Sequence, residues 1–127
     1  MFHRLIPPSP EFFSPKNGVV SKEALLTAYA NGFFPMAGRK KDAVEWFTAD
    51  PRGIFDLEAF HIPRRVQRVV KSGKFEIRTD TAFEAVMRGC AEREESWISE
   101  ILIRSYLLLR ESGYAHSVES WRDGKLI

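Results

Sequence analysis

Residues 113–127 read Gly113-Tyr114-Ala115-His116-Ser117-Val118-Glu119-Ser120-Trp121-Arg122-Asp123-Gly124-Lys125-Leu126-Ile127, and they predict a β-hairpin. Residues 116–121 have the composition of a strand, and Arg122-Asp123-Gly124 is predicted to be a tight hairpin turn. Only residues 125–127 follow as a returning strand, so most of its backbone hydrogen bonds would lack partners. We therefore expect a further segment to complete this hairpin, either from another chain or from a longer form of this one.

Two helices are predicted immediately before the hairpin. Ser99 is a helix N-cap, and the apolar spacing after it predicts the longest helix of the chain, which ends at Gly113. Thr81 and Glu84 have the spacing of a capping box at the start of the preceding helix. Cys90 falls on the predicted buried side of that helix, where a free cysteine is usually a small apolar side chain rather than a nucleophile.

The middle of the chain alternates predicted strands and helices, which is typical of an α+β fold. Residues 54–57 and 74–79 are predicted strands, the second half-buried, and Pro63 begins a helix that runs to Ser72. One side of this helix carries valines, Arg64, Arg68 and Lys71 face the other side, and no acid lies among the basic residues of the helix. The basic residues are Arg64, Arg65, Arg68 and Lys71.

The first fifty residues predict a small α/β domain. Four of the seven prolines lie in the first twenty residues and indicate an extended segment. Ser21 caps a helix that Asn31-Gly32 ends, and residues 44–47 predict a short strand. The pattern changes after the turn-forming residues 50–53, so we predict domains at residues 1–50 and 51–127.

Composition predicts a soluble protein of the cytoplasm. Apolar residues make up 44% of the chain and charged residues 28%, which is ordinary for a globular domain. Cys90 is the only cysteine, so no internal disulfide can form, and no apolar run is long enough to span a membrane. Three scattered histidines and the lack of a glycine-rich phosphate loop predict neither a metal nor a nucleotide cofactor.

Seven stretches of the sequence resemble the leucyl/phenylalanyl-tRNA–protein transferase family in one register. The most specific is Gly-Tyr-Ala-His-Ser-Val-Glu-x-Trp-Arg at residues 113–122, which follows a helix introduced by Trp97-Ile98. The matching stretches are residues 17–20, 25–35, 46–53, 83–86, 89–91, 96–98 and 113–124. There are two departures: no glycine pair separates Val20 from Ser21, and Met36 stands where the family has an aromatic residue.

The resemblance implies a cytoplasmic enzyme that moves leucine or phenylalanine from its tRNA to the N-terminal Arg or Lys of a protein. This transfer marks the protein for degradation by the N-end rule, and it implies no metal and no cofactor. Residues 1–50 would form a small N-terminal domain, and residues 51–127 the first half of an acetyltransferase-like (GNAT) domain that is incomplete at its C-terminus. The family's catalytic carboxylate and amide match no residue here and are expected beyond Ile127.

The resemblance also assigns binding residues. Trp97 and Tyr106 match positions that line the pocket for the aminoacyl end of tRNA, and Trp46 and Tyr29 match further aromatic positions of the family. An aromatic face can stack on a base for about 1–3 kcal/mol, but core packing remains an alternative for each of these residues. For His116, a structural hydrogen bond is favoured over a role as a base.

The basic helix has two interpretations. Arg64, Arg65, Arg68 and Lys71 are the predicted contact with tRNA phosphates, and a solvated surface is the alternative. Two other functions stay open for the whole chain. One is a non-catalytic tRNA-binding or RNA-binding remnant, and the other is a small-molecule N-acyltransferase, although the chain has no phosphate-cradling loop for coenzyme A.

Overall fold

A computed structural model describes residues 2–4 and 11–127, and these residues form a mixed α/β structure. Residues 5–10, which include part of the predicted proline-rich segment, lie outside the described residues. The elements in chain order are β1 Phe2–Arg4, α1 Lys22–Ala30, β2 Phe34–Ala37, β3 Val44–Ala49, α2 Arg64–Lys71, β4 Glu76–Thr79, α3 Phe83–Ala91, α4 Glu100–Glu111, β5 Val118–Arg122 and β6 Lys125–Leu126.

The first sheet has the antiparallel order β1-β3-β2, and the core lies where this sheet meets two helices. Trp46, on the central strand, donates its indole N–H to the Phe13 carbonyl over 3.1 Å and packs edge-to-face against the Phe13 ring. The other buried members of this cluster are Val20, Ala24, Leu25, Ala28, Ile101 and Leu109. Helix α4, from the second half of the chain, therefore packs in the same core as α1, from the first.

The predicted helix starts at Ser21 and Ser99 are confirmed. The Ser21 side chain accepts a hydrogen bond from the Ala24 amide, and the Ser99 side chain accepts one from the Leu102 amide. Each bond satisfies one amide that the first turn of a helix leaves unpaired. Helix α1 ends as predicted at Asn31, and Gly32 follows with a φ of 81°, a conformation that glycine adopts without steric cost.

Ser105 links α4 to the segment that precedes α1. The Val20 amide donates to Ser105 Oγ over 2.8 Å, and the Ser105 hydroxyl donates to the Ile101 carbonyl over 2.6 Å. Both Val20 and Ser105 are 1% exposed, so water cannot replace the serine oxygen. This hydrogen bond joins positions 85 residues apart in the chain.

Replacement of Ser105 by alanine should lower the free energy of unfolding by about 1–3 kcal/mol, because the Val20 amide would stay buried without an acceptor. Ser112 offers a matched control, since it also donates to a carbonyl four residues earlier but is exposed. The change Ser112→Ala should alter stability by less than about 0.5 kcal/mol. Urea denaturation measures both values, and equal losses would contradict a special role for the buried hydroxyl.

The second sheet has the antiparallel order β4-β5-β6, and the predicted hairpin is its β5–β6 pair. Asp123 and Gly124 form the turn with φ values of 50° and 74°. Strand β4 was predicted to be half-buried, but Ile77 is 62% exposed, and Val118 on β5 is 73% exposed. The expected burial is wrong because no layer of the described residues covers these two side chains.

Three other local predictions are also wrong. Residues 54–57 are not a strand, and Ile54 and Leu57 are more than four-fifths exposed, because no strand among the described residues pairs with them. Cys90 is exposed rather than buried. The capping box does not form at α3, whose N-cap is Ala82, since Thr81 bonds to Glu119 instead.

Candidate functional site

A cavity of about 460 Å³ opens between α1, α3, α4 and the segment that follows α4. Its lining is mostly apolar and rich in rings. Leu26, Leu109 and Ala115 supply aliphatic surface. The remaining lining residues are Tyr29, Phe83, Met87, Tyr106, Tyr114 and His116. We call this space the tyrosine cavity; it has the composition of a small-molecule site, in which apolar walls surround a few polar groups.

Two of the predicted binding residues meet in the tyrosine cavity. The hydroxyl of Tyr29 on α1 and that of Tyr106 on α4 form a hydrogen bond across 77 positions of sequence. Tyr29 is 46% exposed and Tyr106 is half-buried. Burial raises the pKa of Tyr106 above its usual value, and the hydrogen bond to Tyr29 raises it further. Tyr106 therefore stays a neutral phenol at physiological pH, able to donate or accept a hydrogen bond.

The two predicted tryptophans lie elsewhere. Trp97 is 52% exposed, and its carbonyl accepts a hydrogen bond from the Ala37 amide over 2.8 Å. This bond holds the loop before α4 against the end of β2, next to the departure at Met36. Trp46 is 4% exposed and packs in the core, as its alternative interpretation expects. Neither tryptophan lines the tyrosine cavity, and their roles in substrate binding stay predictions.

Asp80, which the sequence did not single out, organises the rim of the tyrosine cavity. Its Oδ2 lies 2.7 Å from Nδ1 of His116, and its Oδ1 accepts the Ser117 amide over 3.0 Å. Its carbonyl accepts a hydrogen bond from the Arg110 guanidinium over 3.1 Å. The hydrogen bond with His116 lowers the pKa of Asp80 and raises the pKa of His116. His116 thus makes the structural hydrogen bond that the sequence favoured.

Glu119 is a second carboxylate that joins β5 to α3. It is 1% exposed and accepts hydrogen bonds from the Thr81 amide over 2.9 Å and the Ala82 amide over 2.7 Å. The Thr81 hydroxyl, the Ser117 hydroxyl and the Trp121 indole N–H also donate to it. Burial opposes ionisation, but these donors outweigh it and lower the pKa of Glu119 to about 2. Glu119 is therefore an anion that fixes the residues before α3.

The predicted tRNA-binding side chains lie together on α2. Their exposed positions leave them open to a large polyanion, and none of them forms an ion pair within the part of the chain that the structure describes. They are Arg64, Arg65, Arg68 and Lys71. The valines of α2 are also exposed, so this helix buries no valine side chain within the described chain.

The described residues show neither a metal-binding cluster nor a membrane-spanning helix. No group of three or more His, Cys, Asp or Glu side chains there could hold a metal ion. None of the described helices has the length and apolar character needed to cross a membrane.

Two models of known protein families match the sequence of this chain. A model of the leucyl/phenylalanyl-tRNA protein transferase family matches residues 54–127, and a model of the N-terminal domain of these proteins matches residues 18–50. The chain belongs to this family. Together the two leucyl/phenylalanyl-tRNA protein transferase models cover most of the chain, and the prediction made from its motifs is confirmed.

Curated members of the leucyl/phenylalanyl-tRNA protein transferase family share close to half of their aligned residues with this chain. The Gloeobacter violaceus leucyl/phenylalanyl-tRNA–protein transferase is 48% identical over 108 residues, which cover 85% of this chain and 56% of the relative. The Paramagnetospirillum magneticum protein of the same name is 49% identical over 113 residues, covering 85% and 54%. The Salinibacter ruber protein is 44% identical over 107 residues, covering 84% and 47%. The chain spans about half the length of the curated relatives it matches.

Proposed function

We propose that this chain binds the aminoacyl end of leucyl- or phenylalanyl-tRNA for transfer of the amino acid to the N-terminal Arg or Lys of an acceptor protein. The observation that carries the proposal is the tyrosine cavity, in which Tyr29 and Tyr106 meet between apolar walls. The names of the relatives support the reaction class. Such a transfer takes place in the cytoplasm and marks the acceptor for degradation by the N-end rule.

The chemistry of the reaction fits a cavity without a nucleophile. An aminoacyl ester is already activated: the acceptor amine attacks the ester carbonyl, the bond to the ribose oxygen breaks, and the proton lost by the amine is balanced by one gained by the ribose oxygen, which leaves as the free hydroxyl of the tRNA. Holding the two reactants in line can supply up to about 7–11 kcal/mol of the barrier reduction. The tyrosine rings offer stacking surface for the terminal adenine, and Leu26 and Met87 offer apolar surface for a leucine or phenylalanine side chain.

The remaining parts of the proposal concern tRNA, domains and fold. The exposed cations of α2 would contact the phosphates of the tRNA body. A division of the chain near residue 50 is supported by the ranges of the two family models, 18–50 and 54–127. The antiparallel sheet β4-β5-β6 beside α3 and α4 supports an acetyltransferase-like second domain. We assign no residue of this chain as the base that removes the proton from the amine.

Binding of a stable mimic tests the cavity directly. The probe is 3′-phenylalanylamino-3′-deoxyadenosine, whose amide replaces the labile ester, and calorimetry measures its affinity. The change Tyr106→Leu should weaken binding by roughly ten-fold, in line with about 1–3 kcal/mol for a lost stacking surface. Phe12→Leu is the control, since Phe12 is an exposed aromatic residue outside the tyrosine cavity. Equal affinities for the wild type and Tyr106→Leu would refute the cavity as the binding site.

A transfer assay separates the two candidate functions. The full-length protein, which supplies the catalytic groups that this chain does not match, is incubated with labelled leucyl-tRNA and a peptide that begins with Arg, and the labelled peptide is measured. Labelled product supports transfer. The exposed cations of α2 support a second candidate, tRNA binding without transfer, which predicts retention of the tRNA and no labelled peptide.

A further inference from the structure

A cluster of charged groups adjoins the tyrosine cavity through His116, which lines it. Asp80 lies in the turn between β4 and α3, Arg110 lies on α4, and His116 lies just before β5. The contact between Asp80 Oδ2 and His116 Nδ1 is 2.7 Å long, and Arg110 Nε lies 3.6 Å from Asp80 Oδ1. Three separate elements are therefore joined at Asp80.

Asp80 and His116 each lie close in sequence to residues that line the cavity. Asp80 stands three residues before Phe83, which lines the cavity from α3 one turn before Met87. On the other side, Tyr114 and Ala115 line the cavity and lead directly into His116. The contact between Asp80 and His116, together with the hydrogen bonds of Glu119 to the Thr81 and Ala82 amides, therefore links the turn before α3 to the cavity wall at residues 114–116.

We propose that Asp80 and His116 are positioning residues of the tyrosine cavity, whose ion pair holds the start of α3 at a fixed distance from residues 114–116. The cavity then keeps the width that its ligand requires. That this ligand is the aminoacyl-adenosine end of tRNA rests on the proposed function. The positioning itself rests only on the distances above and on the residues that line the cavity.

The pH range of the ion pair follows from its two pKa shifts. The pKa of His116 is raised, so its contribution is fully present below the ordinary histidine value of about 6.5 and is lost as pH rises through the raised pKa. The pKa of Asp80 is lowered, so its contribution is present above about 3.9 and is lost as pH falls through the lowered pKa. Arg110 is the other charge that faces His116, and its positive charge opposes the rise in the pKa of His116.

The first experiment needs no ligand. The Met87 methyl group is labelled with carbon-13, and its NMR shift is followed against pH together with the ring signals of His116. The wild type should give one common midpoint for both signals, and His116→Gln should abolish the Met87 transition. If the Met87 methyl shift does not change over the pH range in which His116 titrates, the proposal is overturned, whatever the cavity binds.

The second experiment measures the effect on binding. The affinity of 3′-phenylalanylamino-3′-deoxyadenosine is compared at about pH 6 and about pH 9 for the wild type, Asp80→Asn and His116→Gln. The wild type should lose about two- to five-fold more affinity between these values than either variant, the range typical of one exposed ion pair. Comparison with the variants is needed because the α-amino group of the probe titrates in the same range.

A variant at Glu84 serves as the matched control for the loss of a carboxylate. Glu84→Gln removes a carboxylate from α3, the helix that follows Asp80; Glu84 pairs with Arg88 over 2.7 Å outside the cavity, so this variant should behave like the wild type. If Met87 follows His116 but no protein binds the probe, the positioning holds and the proposed ligand is wrong. If all proteins bind alike at both pH values, the proposed function survives and the positioning is refuted.

Discussion

Truncation of Leu109 to alanine should lower the free energy of unfolding by about 2–5 kcal/mol, the range for a leucine removed from a packed core. Leu109 is 3% exposed and belongs to the cluster in which α1 and α4 pack against the first sheet. The loss of stability has two parts. One is the favourable free energy of burying the side-chain atoms that are removed, and the other is the cost of the cavity that remains because the core relaxes only in part. Urea denaturation followed by circular dichroism measures it.

The adjacent leucine provides the control for this prediction. Leu108 lies on the same helix and is 46% exposed, so Leu108→Ala removes the same atoms with a similar effect on helix propensity. It should cost less than about 1 kcal/mol. A similar loss for both variants would mean that the described core is not the one that stabilises the protein.

Reversal of the four charges on α2 should weaken tRNA binding by more than about 100-fold at low salt. Each phosphate contact makes affinity fall by roughly 0.7–0.9 of a log unit for each ten-fold rise in salt. Four contacts therefore predict a loss of about 100-fold between 50 and 200 mM salt for the wild type, and almost none for the reversed variant. The substitutions are Arg64→Glu, Arg65→Glu, Arg68→Glu and Lys71→Glu. Filter binding over a series of salt concentrations gives both the affinity and its slope.

A pair of doubly reversed variants separates a local contact from a general effect of net charge. Arg64→Glu with Arg68→Glu changes the α2 surface, whereas Lys40→Glu with Lys41→Glu changes the exposed loop between β2 and β3 by the same charge. Only the first pair should reduce the dependence of affinity on salt concentration, by the amount that about two phosphate contacts contribute. Equal effects would show that α2 is a solvated surface, the alternative that its sequence left open.

Local signals in the sequence predicted local structure well. Ser21 and Ser99 cap helices because a side-chain oxygen at the N-cap satisfies an amide of the same helix. Asp123-Gly124 forms the hairpin turn because its positive φ values need no distant partner. The family relationship was also readable, since its motifs cover nearly the whole chain in one register.

Predictions that depend on distant partners failed where those partners could not be seen. The capping pattern of Thr81 and Glu84 was sound locally, but the Glu119 carboxylate, 38 residues away, captures the Thr81 side chain and amide. Asp80 carries no pattern that pairs it with His116, 36 residues away. Residues 54–57 have the composition of a strand, but pairing requires a neighbour that composition does not specify. The meeting of Tyr29 with Tyr106 likewise depends on how α1 and α4 pack.

Helix α4 places Leu109 in the core and Tyr106, one turn earlier, in the tyrosine cavity. The proposed binding surface and the core therefore share one helix. A substitution that disrupts the packing of Leu109 will also move Tyr106 on the neighbouring turn. Thermal stability and ligand binding in the tyrosine cavity should therefore change together during evolution. Variants selected only for heat resistance at this helix should carry altered substrate preference as a by-product.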